Sequence, residues 1–108
     1  MRSDLIKTKL GKELAELLKD GLISRGLNAS EKESYLYISF PGATMTIGID
    51  VPKDATIRQV YRMYNYCYNE ATKKHSPSDI PEQLMVNSQK AYKEVCEVLS
   101  DIMKKLES

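Results

Sequence analysis

The sequence predicts one α+β domain in the order α-β-β-α-α, a two-stranded antiparallel hairpin packed on three helices. Three observations predict it. Apolar residues recur at helical spacing in three stretches. They alternate with polar ones in a single stretch between the first two helices. The chain has 108 residues, of which 42% are hydrophobic and 29% charged, the size and make-up of one ordinary globular core.

The first helix is expected from about residue 4 to about residue 25, capped by Ser3. Ile6, Leu10, Leu14, Leu17 and Leu18 form its apolar stripe. Gly21 lies on that stripe, so either the helix stops there or a packed neighbour comes close. Gly26 is the second candidate for the stop. Residues 28–34 are polar and read as a loop.

Residues 35–51 read as the hairpin. Leu36, Ile38 and Phe40 alternate with Tyr35, Tyr37 and Ser39. After Pro41-Gly42, Ala43, Met45, Ile47, Ile49 and Val51 alternate with Thr44, Thr46, Gly48 and Asp50. A two-residue loop pairs Phe40 with Ala43, Ile38 with Met45 and Leu36 with Ile47, which puts every apolar member on one face. Pro-Gly suits a type II turn, whose twist fits a tight hairpin less well than the primed types. A longer turn is therefore the alternative.

The second helix is expected over about 55–75, with Asp54 or Thr56 as cap and Gln59 completing a capping box. Ile57, Val60, Tyr61, Tyr64, Cys67, Tyr68 and Ala71 make its apolar stripe, with Tyr61, Tyr64 and Tyr68 as core rings whose hydroxyls reach the rim. Pro77 and Pro81 break the chain before a third helix over about 80–106. Its seam is Met85, Tyr92, Val95, Leu99, Ile102 and Leu106, flanked by the i,i+4 pairs Lys90/Glu94, Lys93/Glu97 and Asp101/Lys105.

A hairpin followed by Val51-Pro52-Lys53-Asp54-Ala55-Thr56-Ile57 and a helix resembles the opening ββα of the ubiquitin-like β-grasp. The likeness is local. That fold implies further strands after the helix, and residues 76–108 carry no strand pattern.

Composition narrows the function classes. Sixteen basic residues against 15 acidic ones leave a net charge of +1, whereas dedicated nucleic-acid binders carry a basic excess. No apolar run reaches the roughly 18 residues of a membrane span, and residues 1–14 lack the apolar region of a secretory signal. The expected compartment is the cytoplasm. Cys67 and Cys96 fall on apolar stripes, where reduced cysteine behaves as a small hydrophobe.

No constellation for chemistry emerges. His75 is the single histidine and follows Lys73-Lys74 at a helix end, where cations meet the negative pole of the dipole. A zinc site would lack ligands, and the five glycines match no phosphate loop. Glu94, Glu97 and Asp101 read as a solvated face. The expectation is therefore a protein that is not an enzyme and that needs no metal or cofactor.

The informative surface lies on the second helix. Arg58, Arg62, Asn65, Asn69 and Lys73 stand opposite the apolar stripe, with Tyr66 among them. Residues 53–78 hold five basic and two acidic residues, a local +3. Arg58, Arg62, Tyr66, Asn69 and Lys73 are the primary binding candidates. Tyr35, Tyr37, Thr44 and Thr46, on the hairpin's second face, form a secondary surface. The reading is a cytosolic protein–protein interaction module, of the kind small bacterial or phage-borne adaptors and inhibitors of larger partners provide. The alternative is a binder of nucleotide or nucleic-acid phosphate through the same basic face. Open strand edges, the exposed tyrosines and the third-helix seam also point to a homodimer.

Overall fold

In the computed structural model, described over residues 14–33, 35–43, 46–51, 57–74 and 82–107, the end of the first helix decides where the sheet begins. Helix α1 occupies residues 14–24 of the described chain. Gly26 takes a φ of 91°, its N–H bonds the Ile23 carbonyl at 3.0 Å, and the Leu27 N–H bonds the Leu22 carbonyl at 3.0 Å. These are the two crossed bonds of a Schellman stop. Leu22 and Leu27 are both buried and supply its apolar clasp. Gly26 is thus the stop, and Gly21 is the site of close packing.

The stop launches a strand where a loop was expected. Strand β1 (Asn28–Lys32) pairs antiparallel with β2 (Tyr35–Ser39), in register from Asn28↔Ser39 to Lys32↔Tyr35. The sheet therefore has three strands in the order β1-β2-β3, and the chain runs α-β-β-β-α-α. Every β1 side chain except Ala29 is exposed. Backbone pairing makes this strand, so it leaves no apolar alternation in the sequence. Glu33, in the tight β1–β2 turn, has a left-handed φ of 57°.

Strand β3 (Ile47–Asp50) pairs with β2 through Ile38↔Ile47, Tyr37↔Gly48, Leu36↔Ile49 and Tyr35↔Asp50. This is two residues from the expected register. An even slip keeps every side chain on its face, so Leu36, Ile38, Ile47 and Ile49 are all buried. The turn explains the slip. The Ala43 N–H bonds the Phe40 carbonyl at 3.0 Å and Gly42 has a φ of 81°, as a type II turn requires. Its twist splays the strands, and the ladder starts beyond it.

Helices α2 (Ile57–Thr72) and α3 (Glu82–Glu107) pack on each other and close the core. Leu14, Leu18 and Leu22 share one core cluster with the sheet's Leu36, Ile38, Ile47 and Ile49 and with Val60, Cys67, Val95, Leu99 and Ile102. The expected α2 stripe is only partly used. Val60 and Cys67 are buried, Tyr64 is half-buried, and Tyr61 and Tyr68 are exposed. Leu17, expected inside, is 38% exposed. On α3 the seam residues Val95, Leu99 and Ile102 are joined inside by Ala91, Cys96 and Val98, so the apolar face is wider than a heptad seam.

Glu94 does not pair along its own helix with Lys90. It grips Arg25 at the end of α1, with Nε to Oε1 at 3.1 Å and an end nitrogen to Oε2 at 3.2 Å. The bond to Glu94 holds the Arg25 guanidinium above its ordinary pKa; partial desolvation opposes this, and the charges of Glu94, Glu97 and Asp101 reinforce it. After α2 the described chain is helical, unlike a β-grasp. Among the described residues no helix is long and apolar enough to cross a membrane. The expected roles of Ser3, Ile6, Leu10, Asp54, Thr56, His75, Pro77 and Pro81, and of the Met85 and Leu106 side chains, lie outside the described residues.

Candidate functional site

All five primary candidates lie on or just after α2, and all are exposed: Arg58, Arg62, Tyr66, Asn69 and Lys73. Spacing explains their common side, since a helix turns about 100° per residue. The structure then divides them. Lys73 is half spent, with its ammonium 3.9 Å from Glu70 and its carbonyl accepting a bond from Gln89 Nε2 at 2.5 Å. Arg58 and Arg62 have no carboxylate within ion-pair range among the described residues.

Arg62 and Tyr66 face the sheet across a cleft of about 460 Å³. Its helix wall is Arg62, Met63, Tyr66 and Cys67, two adjacent i,i+4 strips where the basic face meets the apolar stripe. Its strand wall is Gly48, Ile49 and Asp50, with Tyr35 beyond them. Gly48 and Asp50 belong to the exposed sheet face and Ile49 to the buried one. A cavity that touches both faces of one strand meets that strand edge-on. The cleft therefore lies along the outer edge of β3.

Three aromatic pairs shape this region. Tyr66, 52% exposed, meets Tyr92 of α3 edge-to-face, with centroids 6.0 Å apart at 81°. Tyr35 and Tyr37 stack at 6.2 Å on the open sheet face. Tyr37 lies over its cross-strand neighbour Gly48, where an added Cβ would stand 3.2 Å from its ring. On the other side of α2, Tyr64 and Tyr68 stack at 6.2 Å.

The two candidate surfaces expected separately are joined at one point, because Tyr35 lines the same cleft as Arg62 and Tyr66. Tyr37 and Thr46 are exposed on the sheet, and Thr44 lies outside the described residues. Arg58, Asn69 and Lys73 do not line the cleft. Met63, Ile49 and Asp50 do, and sequence reasoning missed them. Met63 lies on α2 beside Arg62, and only the placement of β3, which no local pattern fixes, brings Ile49 and Asp50 across from it.

The thiol at this site, Cys67, is protected, as is Cys96 on α3. Burial, followed by the neighbouring Cys96 and Glu70, pushes the Cys67 thiol up to about 12. Burial and then Glu97 raise that of Cys96, and both cysteines are free and buried. Burial, and next the Tyr66 hydroxyl, hold the Tyr92 phenol above its usual range. A protonated thiol is a poor nucleophile, so Cys67 contributes an apolar floor. No group of three or more metal-ligating side chains occurs among the described residues.

Compared with known proteins, the chain matches no family model, no curated protein and no solved structure. The arrangement of the cleft therefore carries the functional reading by itself. It offers two phenol rings, one carboxylate, an apolar floor, and a guanidinium and a strand edge that have no partner among the described residues.

Proposed function

We propose that the protein is a non-catalytic cytosolic interaction module, an adaptor or inhibitor that binds a larger protein through the surface around Arg62, Tyr66 and Tyr35. The observation that supports this is the meeting, at an apolar-floored cleft, of exposed tyrosines and an arginine with no carboxylate partner among the described residues. Tyrosine and arginine are the side chains that most often anchor protein interfaces. A phosphate ligand is the weaker alternative, because Lys73 is already paired with Glu70 and Asp50 brings negative charge to the cleft. A homodimer is a competing use of the same surface. Of the α3 seam that also suggested it, Val95, Leu99 and Ile102 are buried inside the protomer.

The test compares the native chain with Arg62→Glu/Lys73→Glu and Tyr66→Ala by capture from native lysate, with and without nuclease. All three should keep the native circular dichroism, since the substituted side chains are exposed. The proposal expects the same captured proteins to be lost from both variants, with nuclease without effect. Capture that depends on nucleic acid, or that survives in both variants, refutes it. Sedimentation at rising concentration reads the homodimer directly.

A further inference from the structure

The two edges of the sheet are not alike. The outer edge of β1 carries Asn28, Ser30, Glu31 and Lys32 as exposed polar or charged side chains. Natural sheets place such residues on edges to repel unwanted strands. The outer edge of β3 reads Ile47-Gly48-Ile49-Asp50. It carries one charge, at its end, and no lysine or proline. Among the described residues no strand pairs with it.

The cleft lies between that open edge and Arg62, Met63, Tyr66 and Cys67 of helix α2. An unpaired edge strand offers a row of free backbone donors and acceptors, and an extended peptide satisfies them by adding as a further strand. Successive side chains of an added strand point to opposite sides. Alternate ones would enter the cleft, where half-buried Met63 presents apolar surface above the buried Ile49 and Cys67. Arg62 stands on the helix wall with no carboxylate partner among the described residues, and Arg58 lies one turn earlier on α2. The charge that complements this helix wall is negative, while Asp50 at the end of the strand wall limits that complement to a single acid placed against Arg62.

We propose that the β3 edge and the α2 wall form a docking groove for an extended peptide segment of the partner protein, added as a fourth strand with one Asp or Glu against Arg62. This rests on the reading of the protein as a protein-binding module and names the shape and charge of what it binds. Alternating apolar residues fill the floor. Tyr35 and Tyr66 close over the strand from its two sides.

The test is selection of the full chain against a displayed library of random linear peptides, followed by synthesis of the enriched ones. The inference expects peptides that alternate apolar residues with others and carry at least one Asp or Glu. Arg62→Glu should weaken them by about tenfold or more, and replacing the peptide acid by Lys should restore binding to that variant. Lys90→Glu, on α3, should change nothing. N-methylation of alternate peptide amides should abolish binding, because strand addition needs those donors. A photo-crosslinker on the peptide should label β3 and α2.

Failure to enrich any peptide, helical spacing in the enriched ones, or indifference to both Arg62→Glu and N-methylation overturns the inference. So does a homodimer that buries the β3 edge. If a folded partner still depends on Tyr66 and Arg62 while no peptide binds, strand addition falls and the module reading stands. If that dependence also vanishes, both fall.

Discussion

A Cβ placed on Gly21 would stand 2.6 Å from Cγ1 of Val98. Helix α1 passes over α3 at this point, and the glycine is what lets the valine in. Alanine is the better helix former by about 1 kcal/mol, so the outcome is a contest between propensity and overlap. Val98 is buried and β-branched, which leaves it one strongly preferred rotamer in a helix. It cannot swing aside. Gly21→Ala should therefore lose about 1–3 kcal/mol in chemical denaturation, as overpacked cores do. Val98→Ala should restore part of that loss in the double variant. Additive effects would show that the two residues do not meet.

The β2–β3 register makes its own forecast. Ile38 and Ile47 are cross-strand partners, and both are buried. Each truncation to alanine should cost about 2–5 kcal/mol, as buried isoleucines do, and the two should couple when combined. Thr46→Ala, on an exposed residue, should change the urea midpoint little. Comparable losses at Thr46 and Ile47 would mean that the sheet is covered on both faces.

Glu33 holds a φ of 57° with an exposed side chain. That region costs an ordinary residue roughly 1–2 kcal/mol. Glycine and asparagine adopt it more readily, so Glu33→Gly and Glu33→Asn should each raise the melting temperature. A drop in both would mean that the carboxylate makes a stabilising contact.

Alkali should weaken the fold partly through Cys67. The unfolded thiol ionises near its ordinary 9.0, whereas the folded one keeps its proton up to about 12. Between these values the unfolded state binds fewer protons, so stability falls as pH rises. The contribution is whole below about pH 9, and its loss approaches about 1.4 kcal/mol per pH unit within the window. Tyr92, raised in the same direction, adds to the decline. Cys67→Ala should flatten the slope of unfolding free energy between pH 9 and 11 relative to the native chain. Identical slopes would place the sensitivity elsewhere.

Much of this architecture is legible in the chain, and the rest is hidden for definite reasons. Leu36, Ile38, Ile47 and Ile49 announce the sheet face because burial imposes alternation on them. Gly26 announces the end of α1 because few residues tolerate its φ. β1 stays silent, since a strand built from backbone bonds with Asn28, Ser30, Glu31 and Lys32 in water imposes no pattern on its side chains. The two-residue slip is silent too, because it leaves every face unchanged. The site shows the same division. Arg62 and Tyr66 stand out by helical spacing, but their meeting with Tyr35 and Asp50 depends on where β3 lies beside α2. Arg25 and Glu94 are 69 positions apart, so nothing local to either residue suggests their pairing.

The nearly unburied side chains of β1 have a consequence for how the chain tolerates damage. The strand is fixed at both ends, by Leu27 in the clasp of the Schellman stop and by Leu36 in the sheet, yet between them it anchors almost nothing in the core. If it detaches, it opens as a closed loop rather than a free arm, and it gives up backbone bonds while the apolar contacts of Leu14, Leu18 and Leu22 stay in place. Residues 28–33 are thus a place where proteolytic cleavage or an inserted segment should do little harm. After a single cut there, Gly21 against Val98 and Arg25 against Glu94 still tie α1 to α3, and the two fragments should travel together as one particle.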